Sequence, residues 1–219
     1  MKYKFKDEIF IPVGNESISG ELIIPENCSS LVIFSHGSGS SRFSPRNNFV
    51  ARILNERNIG TFLLDLLTRE EDEIYDNRFN IDLLTERLVI ATKYLSSFKH
   101  SANLEFGYFG ASTGAASALK AAAVLPKLIH AVVSRGGRPD LAMDVAAQVK
   151  APTLLIVGEL DYQVIQLNRE AFKALKCEKK FEIIPGATHL FEEPGTLNEA
   201  ALLAGNWFRK YLMNTTKKL

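Results

Sequence analysis

Leu104-Glu105-Phe106-Gly107-Tyr108-Phe109, then Gly110-Ala111-Ser112-Thr113-Gly114, then Ala115 through Leu125: this stretch decides the fold class. The opening run reads as a buried strand. The closing run is almost wholly alanine, leucine and other helix formers, and Pro126 stops it. Between them lies the Gly-x-Ser-x-Gly pattern of a serine lifted off a sheet edge by a sharp turn from strand to helix. The spacing has a physical cause. Residues two before and two after the serine must be small, because strand and helix backbones nearly touch there. Both are glycine here, and Ala111, Ala115 and Ala116 keep the surroundings small. A bare Gly-x-Ser-x-Gly also arises in Gly/Ser loops without chemistry. The strand before it and the helix after it make Ser112 a candidate nucleophile.

Outward from this core, short apolar β-rich runs alternate with segments of helical period, which implies an α/β protein with a mainly parallel sheet. Tyr3–Phe10 and Ser17–Ile24 read as an opening antiparallel pair, separated by Pro12, Gly14 and Asn15. Leu31–Ser35, Gly60–Asp65, Leu104–Phe109, His130–Ser134, Thr153–Gly158 and Phe181–Ile184 follow, making about eight strands, a plausible number for one open sheet. Ser44 and Pro45 supply an N-cap and a first-turn proline to a helix that buries Phe49, Val50, Ile53 and Leu54 and ends at Asn58 and Gly60. Ile81, Leu84, Leu88, Ala91 and Leu95 mark the most regular helix. Val164, Leu167, Ala171 and Leu175 mark another, and Leu197, Ala201, Ala204, Phe208 and Leu212 the last. Thr68–Asn80, with Glu70, Glu71, Asp72 and Glu73 in a row, lacks apolar periodicity and reads as a solvated loop. Its place after a parallel strand also suits a mobile flap over a site. No repeat, low-complexity run or linker divides the chain, so residues 1–219 are expected to form one domain.

Composition narrows the function classes. The chain has 219 residues, 46% hydrophobic and 23% charged, as in ordinary globular proteins. A net charge of +1 and the lack of a basic tract leave no electrostatic reason to expect nucleic acid. Met1–Glu8 is charged rather than signal-like, and no segment approaches membrane-spanning length. Cys28 and Cys177 form neither a C-x-x-C nor a disulfide framework. A cytoplasmic location without membrane association is the expectation. No His/Cys cluster has ligand spacing and no phosphate-binding G-x-x-x-x-G-K-[ST] occurs, so neither metal nor cofactor is expected.

A serine hydroxyl needs a base within hydrogen-bond reach, itself oriented by an acid. With this kind of turn the chain order is serine, acid, histidine. Downstream of Ser112, one strand ends in Gly158-Glu159-Leu160-Asp161 and the next in Pro185-Gly186-Ala187-Thr188-His189. Both lie past carboxyl ends of strands, on the same edge as Ser112. His189 is the expected base; His100 sits in a polar stretch, His130 at the opposite edge, and His36 ahead of the serine. Asp161 is the expected acid, with Glu159, Asp140 and Asp144 as competitors. The oxyanion would be held by the N–H of Thr113 and by a donor from the loop His36-Gly37-Ser38-Gly39-Ser40-Ser41, Ser38 foremost and Gly39 the alternative. Arg42, Arg46, Arg135 and Arg138 should lie on the same edge. Arg42 and Arg138 foremost are candidates to bind a carboxylate or phosphate on the substrate, unless the arginines pair with Glu70–Glu73 or Asp65.

The strand ending in His-Gly-Ser-Gly, the serine turn, the strand ending in Gly-x-x-Asp and the terminal Gly-x-x-His together resemble the α/β-hydrolase superfamily over nearly the whole chain. The compact size without an inserted cap is similar to the dienelactone hydrolase-like group. Ser35–Arg42 together with Ser134–Asp140 resembles one branch whose members sometimes occur fused to a phosphoribosyltransferase domain. The chain departs from dienelactone hydrolase itself, which has a cysteine nucleophile where Ser112 stands. The resemblance implies an α/β-hydrolase fold, helices on both faces and no cap domain. It also implies a serine hydrolase that cleaves an ester or related acyl bond of a small molecule. A catalytically silent binding or regulatory relative, and an acyltransferase or perhydrolase on the same triad, are the alternatives; a homodimer is left open.

Overall fold

The computed structural model describes residues 2–213. Eight strands form one sheet in the order β1-β2-β4-β3-β5-β6-β7-β8. They are β1 (Tyr3–Val13), β2 (Glu16–Pro25), β3 (Ser30–Ser35), β4 (Gly60–Leu64), β5 (Glu105–Ala111), β6 (Ile129–Arg135), β7 (Thr153–Gly158) and β8 (Lys179–Ile184). The pairs β1–β2 and β2–β4 are antiparallel, and every other pair is parallel. Placing β3 between β4 and β5 reverses the strand order there. The loops leaving β3 and β5 therefore diverge and open a crevice at the carboxyl ends of the strands.

Inner strands send alternate residues to opposite faces, as the period of two requires. From β5, Phe106 and Tyr108 enter one cluster and Phe109 and Ala111 the other; from β3, Leu31 and Ile33 oppose Val32 and Phe34. Helices α1 (Pro45–Asn55) and α6 (Thr196–Leu212) cover the second cluster. Helices α3 (Ile81–Ser97) and α4 (Gly114–Val124) cover the first, with α5 (Tyr162–Ala174) beyond them. Both faces are thus clad, and no segment among the described residues builds a separate cap. Among those residues no helix is long and apolar enough to cross a membrane.

Two elements differ from the sequence expectation. Thr68–Asn80 is not an unstructured loop: it holds a short helix α2 (Arg69–Glu73) and a 3-10 turn over Tyr75–Phe79. Neither buries a residue, so no apolar period could announce them. α2 starts from a reciprocal cap in which Thr68 Oγ1 accepts the Glu71 N–H and the Glu71 carboxylate accepts the Thr68 N–H. Glu71 then pairs with Arg87 of α3, and Asp72 with Arg78. In α5 the buried stripe runs through Val164, Ile165, Asn168 and Ala171, leaving Leu167 only half buried. Asn168 earns its place by hydrogen bonds, donating through Nδ2 to the carbonyls of Gly137 (2.9 Å) and Val164 (2.8 Å).

Candidate active site

Ser112 sits between β5 and α4 with φ 51, in the left-handed region that costs a side-chain-bearing residue about 1–2 kcal/mol. Its neighbours hold it there. The Ser112 N–H donates to the Arg135 carbonyl at 3.4 Å, and its own carbonyl accepts the N–H groups of Ala115 (3.1 Å) and Arg138 (3.0 Å). The flanking glycines are required by contact. A Cβ on Gly114 would lie 2.1 Å from the Ser35 carbonyl oxygen, and one on Gly110 would lie 2.5 Å from the Ala115 Cα.

Asp161 follows β7 and occupies the N-cap position of α5, yet its side chain caps nothing. The carboxylate instead meets His189 Nδ1 at 2.6 Å, leaving Nε2 as the nitrogen that can take a proton. Asp161 is largely enclosed (13% exposed), while the His189 ring is more open (40%). The competing acids are engaged elsewhere. Glu159 accepts the Gly186 N–H at 2.8 Å, Asp140 pairs with Arg138, and Asp144 pairs with Lys120. His130 pairs with Glu105 at the far end of the sheet, and His100 stacks on Phe5.

Ser112 and His189 line one cavity of about 460 Å³, with no direct hydrogen bond between them among the described residues. Such bonds often tighten only when substrate is present. The apolar walls are Phe79, Ile81, Leu141 and Val164, and Ser38 and Thr113 border it too. The Thr113 N–H has no partner among the described residues. The Ser38 N–H donates to Thr113 Oγ1 at 2.8 Å, a bond the sequence reading did not foresee. A second cavity of about 350 Å³, walled by Phe10, Phe43, Leu67 and Leu84, shares Ser38 with the first.

His36 and Glu193 are positioning groups that sequence reasoning missed. His36 Nε2 accepts the Leu66 N–H (3.2 Å) and Nδ1 meets the Gly37 carbonyl (2.9 Å), so the ring ties the loop after β3 to the end of β4. Burial holds its pKa below the usual imidazole range, in keeping with a neutral ring. Glu193 anchors the His189 loop by accepting the Thr188 N–H (3.1 Å) and hydroxyl (2.6 Å). The short Thr-x-x-x-x-Glu spacing is the one signal that could have suggested it. The arginines part company. Arg42 is held by Glu8 (2.5 Å) and Asp65 (3.2 Å), the pairing that competes with substrate binding. Arg138 borders the cavity but pairs twice with Asp140, at 2.9 and 2.8 Å. Arg46 faces Glu192 at 3.4 Å, and Arg135 is buried without an ionic partner among the described residues.

Comparison with known proteins bears on this arrangement. Residues 59–214 match the model of the dienelactone hydrolase family. Two Mycobacterium tuberculosis proteins, from strains CDC 1551 and H37Rv, carry the provisional name phosphoribosyl transferase. Each is 48% identical over 206 residues, covering 94% of this chain and 46% of the relative. The chain thus spans about half the length of the curated relatives it matches. A crystal structure of dienelactone hydrolase from Anabaena variabilis is 49% identical, with TM-score 0.93, covering 97% of this chain and 100% of that one. Est1E from Butyrivibrio proteoclasticus (16% identity, TM-score 0.80, covering 93% and 98%) shares the fold. The Pyrococcus furiosus esterase Pf2001 does too (16%, 0.80, covering 95% and 92%).

Proposed function

The chain belongs to the dienelactone hydrolase family, and from that premise we propose that it is a serine hydrolase acting on an ester or related acyl bond of a small molecule. Hydrolysis of ester bonds follows from the family. The nucleophile and its helpers are our reading of the site. The observation that carries it is the 2.6 Å contact between Asp161 and His189, beside a cavity that Ser112 shares with the imidazole. More than half of each mycobacterial relative lies outside the match, so the name phosphoribosyl transferase is not transferred to this chain.

In this reading Ser112 Oγ attacks the carbonyl carbon while His189 Nε2 takes its proton, and Asp161 holds the ring in the Nδ1–H tautomer. The developing oxyanion receives the free Thr113 N–H at the amino end of α4, where the helix dipole adds to the attraction. It also competes with the Thr113 hydroxyl for the Ser38 N–H. His189 then protonates the leaving group and activates water to release the acyl group. Phe79, Ile81, Leu141 and Val164 favour an apolar group beside the scissile bond.

A fluorophosphonate probe tests the assignment. Wild-type protein should be labelled at neutral pH and Ser112→Ala should not, and Ser112→Ala should lose at least about a thousandfold in p-nitrophenyl ester hydrolysis. Equal labelling of both proteins would refute Ser112 as nucleophile. Product analysis with added alcohol or peroxide separates hydrolysis from acyl transfer.

A further inference from the structure

Arg135 ends β6 at the catalytic rim, and its side chain lies on the face covered by α1 and α6, 5.5 Å from the ring centre of Phe191. It is 7% exposed. Its Nε and Nη1 are enclosed and have no hydrogen-bond partner among the described residues. The one charge that perturbs it is another cation, Arg46 in the first turn of α1. Burial first, and that like charge second, push its pKa down to about 10.

A buried charge is costly unless it is paired and hydrogen-bonded, and an aromatic face offsets only part of that cost. Its strand neighbours are Ala111 and Ile156, so an aliphatic side chain would suit the position better than an unpaired cation. A counter-charge from outside the chain resolves the imbalance. The corner is suited to one. Arg46 has only a long contact to the exposed Glu192, and the amino end of α1 adds the positive pole of an eleven-residue helix. Planar guanidinium groups match oxyanions.

We propose that Arg135 and Arg46, at the amino end of α1, bind a small oxyanion of the phosphate or carboxylate class behind the His189 loop. The site is distinct from the cavity at Ser112, which Arg138 borders and Arg135 does not. It is nonetheless mechanically close to the imidazole. Phe191, which stacks on Arg135, is in the left-handed region (φ 56) two residues after His189. An anion that fixes Arg135 therefore braces the segment that carries the ring.

Calorimetric titration of the intact chain with inorganic phosphate, and separately with acetate, in low-chloride Hepes buffer tests the proposal. One anion should bind per chain, with affinity falling at least about tenfold in Arg135→Met and several-fold in Arg46→Gln. At fixed ionic strength, each tenfold of phosphate beyond saturation should raise the wild-type melting temperature by roughly 3–5 °C, and over the same concentrations Arg135→Met should rise by less. Wild-type protein that takes neither anion below about 10 mM overturns the proposal, as does Arg135→Met that binds as tightly as wild type. Should Arg135→Met fail to fold, Arg46→Gln decides alone, because that side chain is partly exposed; unchanged affinity overturns the site. Phosphate that competes with acidic esters but not with neutral ones identifies the anion as part of the substrate. Lack of competition with either identifies a free ligand. Binding needs no turnover, so the result stands apart from the serine-hydrolase reading.

Discussion

Asp161 occupies an N-cap position where aspartate normally bonds the first free amides of a helix, but its carboxylate turns to His189 instead. Structural and chemical roles are therefore separable at this residue. Asp161→Asn should lower kcat/KM for a p-nitrophenyl ester by roughly 10³–10⁴-fold, because the amide favours the wrong imidazole tautomer. The same variant should keep its urea midpoint nearly unchanged, since asparagine caps as well as aspartate and no cap bond is lost. A large stability loss with little kinetic effect would make Asp161 a scaffold residue. His36 behaves in the opposite way. Its buried ring is held neutral, so between the ordinary imidazole pKa near 6.5 and the lower folded value the unfolded chain binds a proton that the native chain does not. The contribution of His36 is complete above about pH 6.5 and is lost as pH falls, by at most about 1.4 kcal/mol per pH unit. Urea titrations from pH 7 to 5 should show a steeper decline in wild-type protein than in His36→Gln; parallel declines would exclude this linkage.

At the scale of elements, legibility followed the kind of force that makes each one. The strand–turn–helix around Ser112 could be read directly, because a steric requirement leaves few residue choices. A Cβ at position 114 has only backbone to meet, the Ser35 carbonyl at 2.1 Å, and no side chain can rotate away. Gly114→Ala should therefore destabilise the protein by at least about 3 kcal/mol, read from urea denaturation; a neutral effect would mean that β3 and α4 separate more easily than this contact implies. The chain order of Ser112, Asp161 and His189 was legible too, since the first two follow the buried strands β5 and β7 and the third follows the short run Phe181–Ile184 of β8. Elements held by polar contacts were not. α2 is fixed by the Thr68–Glu71 cap and the Glu71–Arg87 pair, and Asn168 places α5 through amide bonds to Gly137 and Val164. Hydrophobic periodicity is blind to both. Arg87→Met tests what holds the segment beside the cavity. It should cost roughly 1–3 kcal/mol globally, because Arg87 is buried and its removal leaves the largely enclosed Glu71 carboxylate unpaired. Hydrogen exchange should quicken more across residues 68–80 than in β5 and β6. Unchanged exchange in 68–80 would show that the cap alone orders the segment.

For the molecule as a whole, the proposed function depends on three strand ends remaining in register, and the sheet makes that a collective property. Strands β3 to β7 each feed both apolar clusters: β6 sends Val132 to one and Val133 to the other, and β7 divides Leu155 from Leu154 and Ile156 in the same way. Losing the cover on one face would strip half the contacts from strands that the other face also needs. The two faces should melt together. Trp207, the one tryptophan in the chain, reports on this from α6, where it is 8% exposed and its Nε1 donates to the Pro152 carbonyl at 3.2 Å. Its fluorescence follows the α1–α6 face, whereas far-ultraviolet circular dichroism also counts α3, α4 and α5 on the other. If residues 1–219 form one cooperative domain, as we propose, the two signals should share one denaturation midpoint and one slope. Midpoints that separate, with Trp207 exposed while much helix remains, would instead divide the chain along its sheet. The His189 loop, which joins β8 to α6, would then be able to come loose while Ser112 stayed in place.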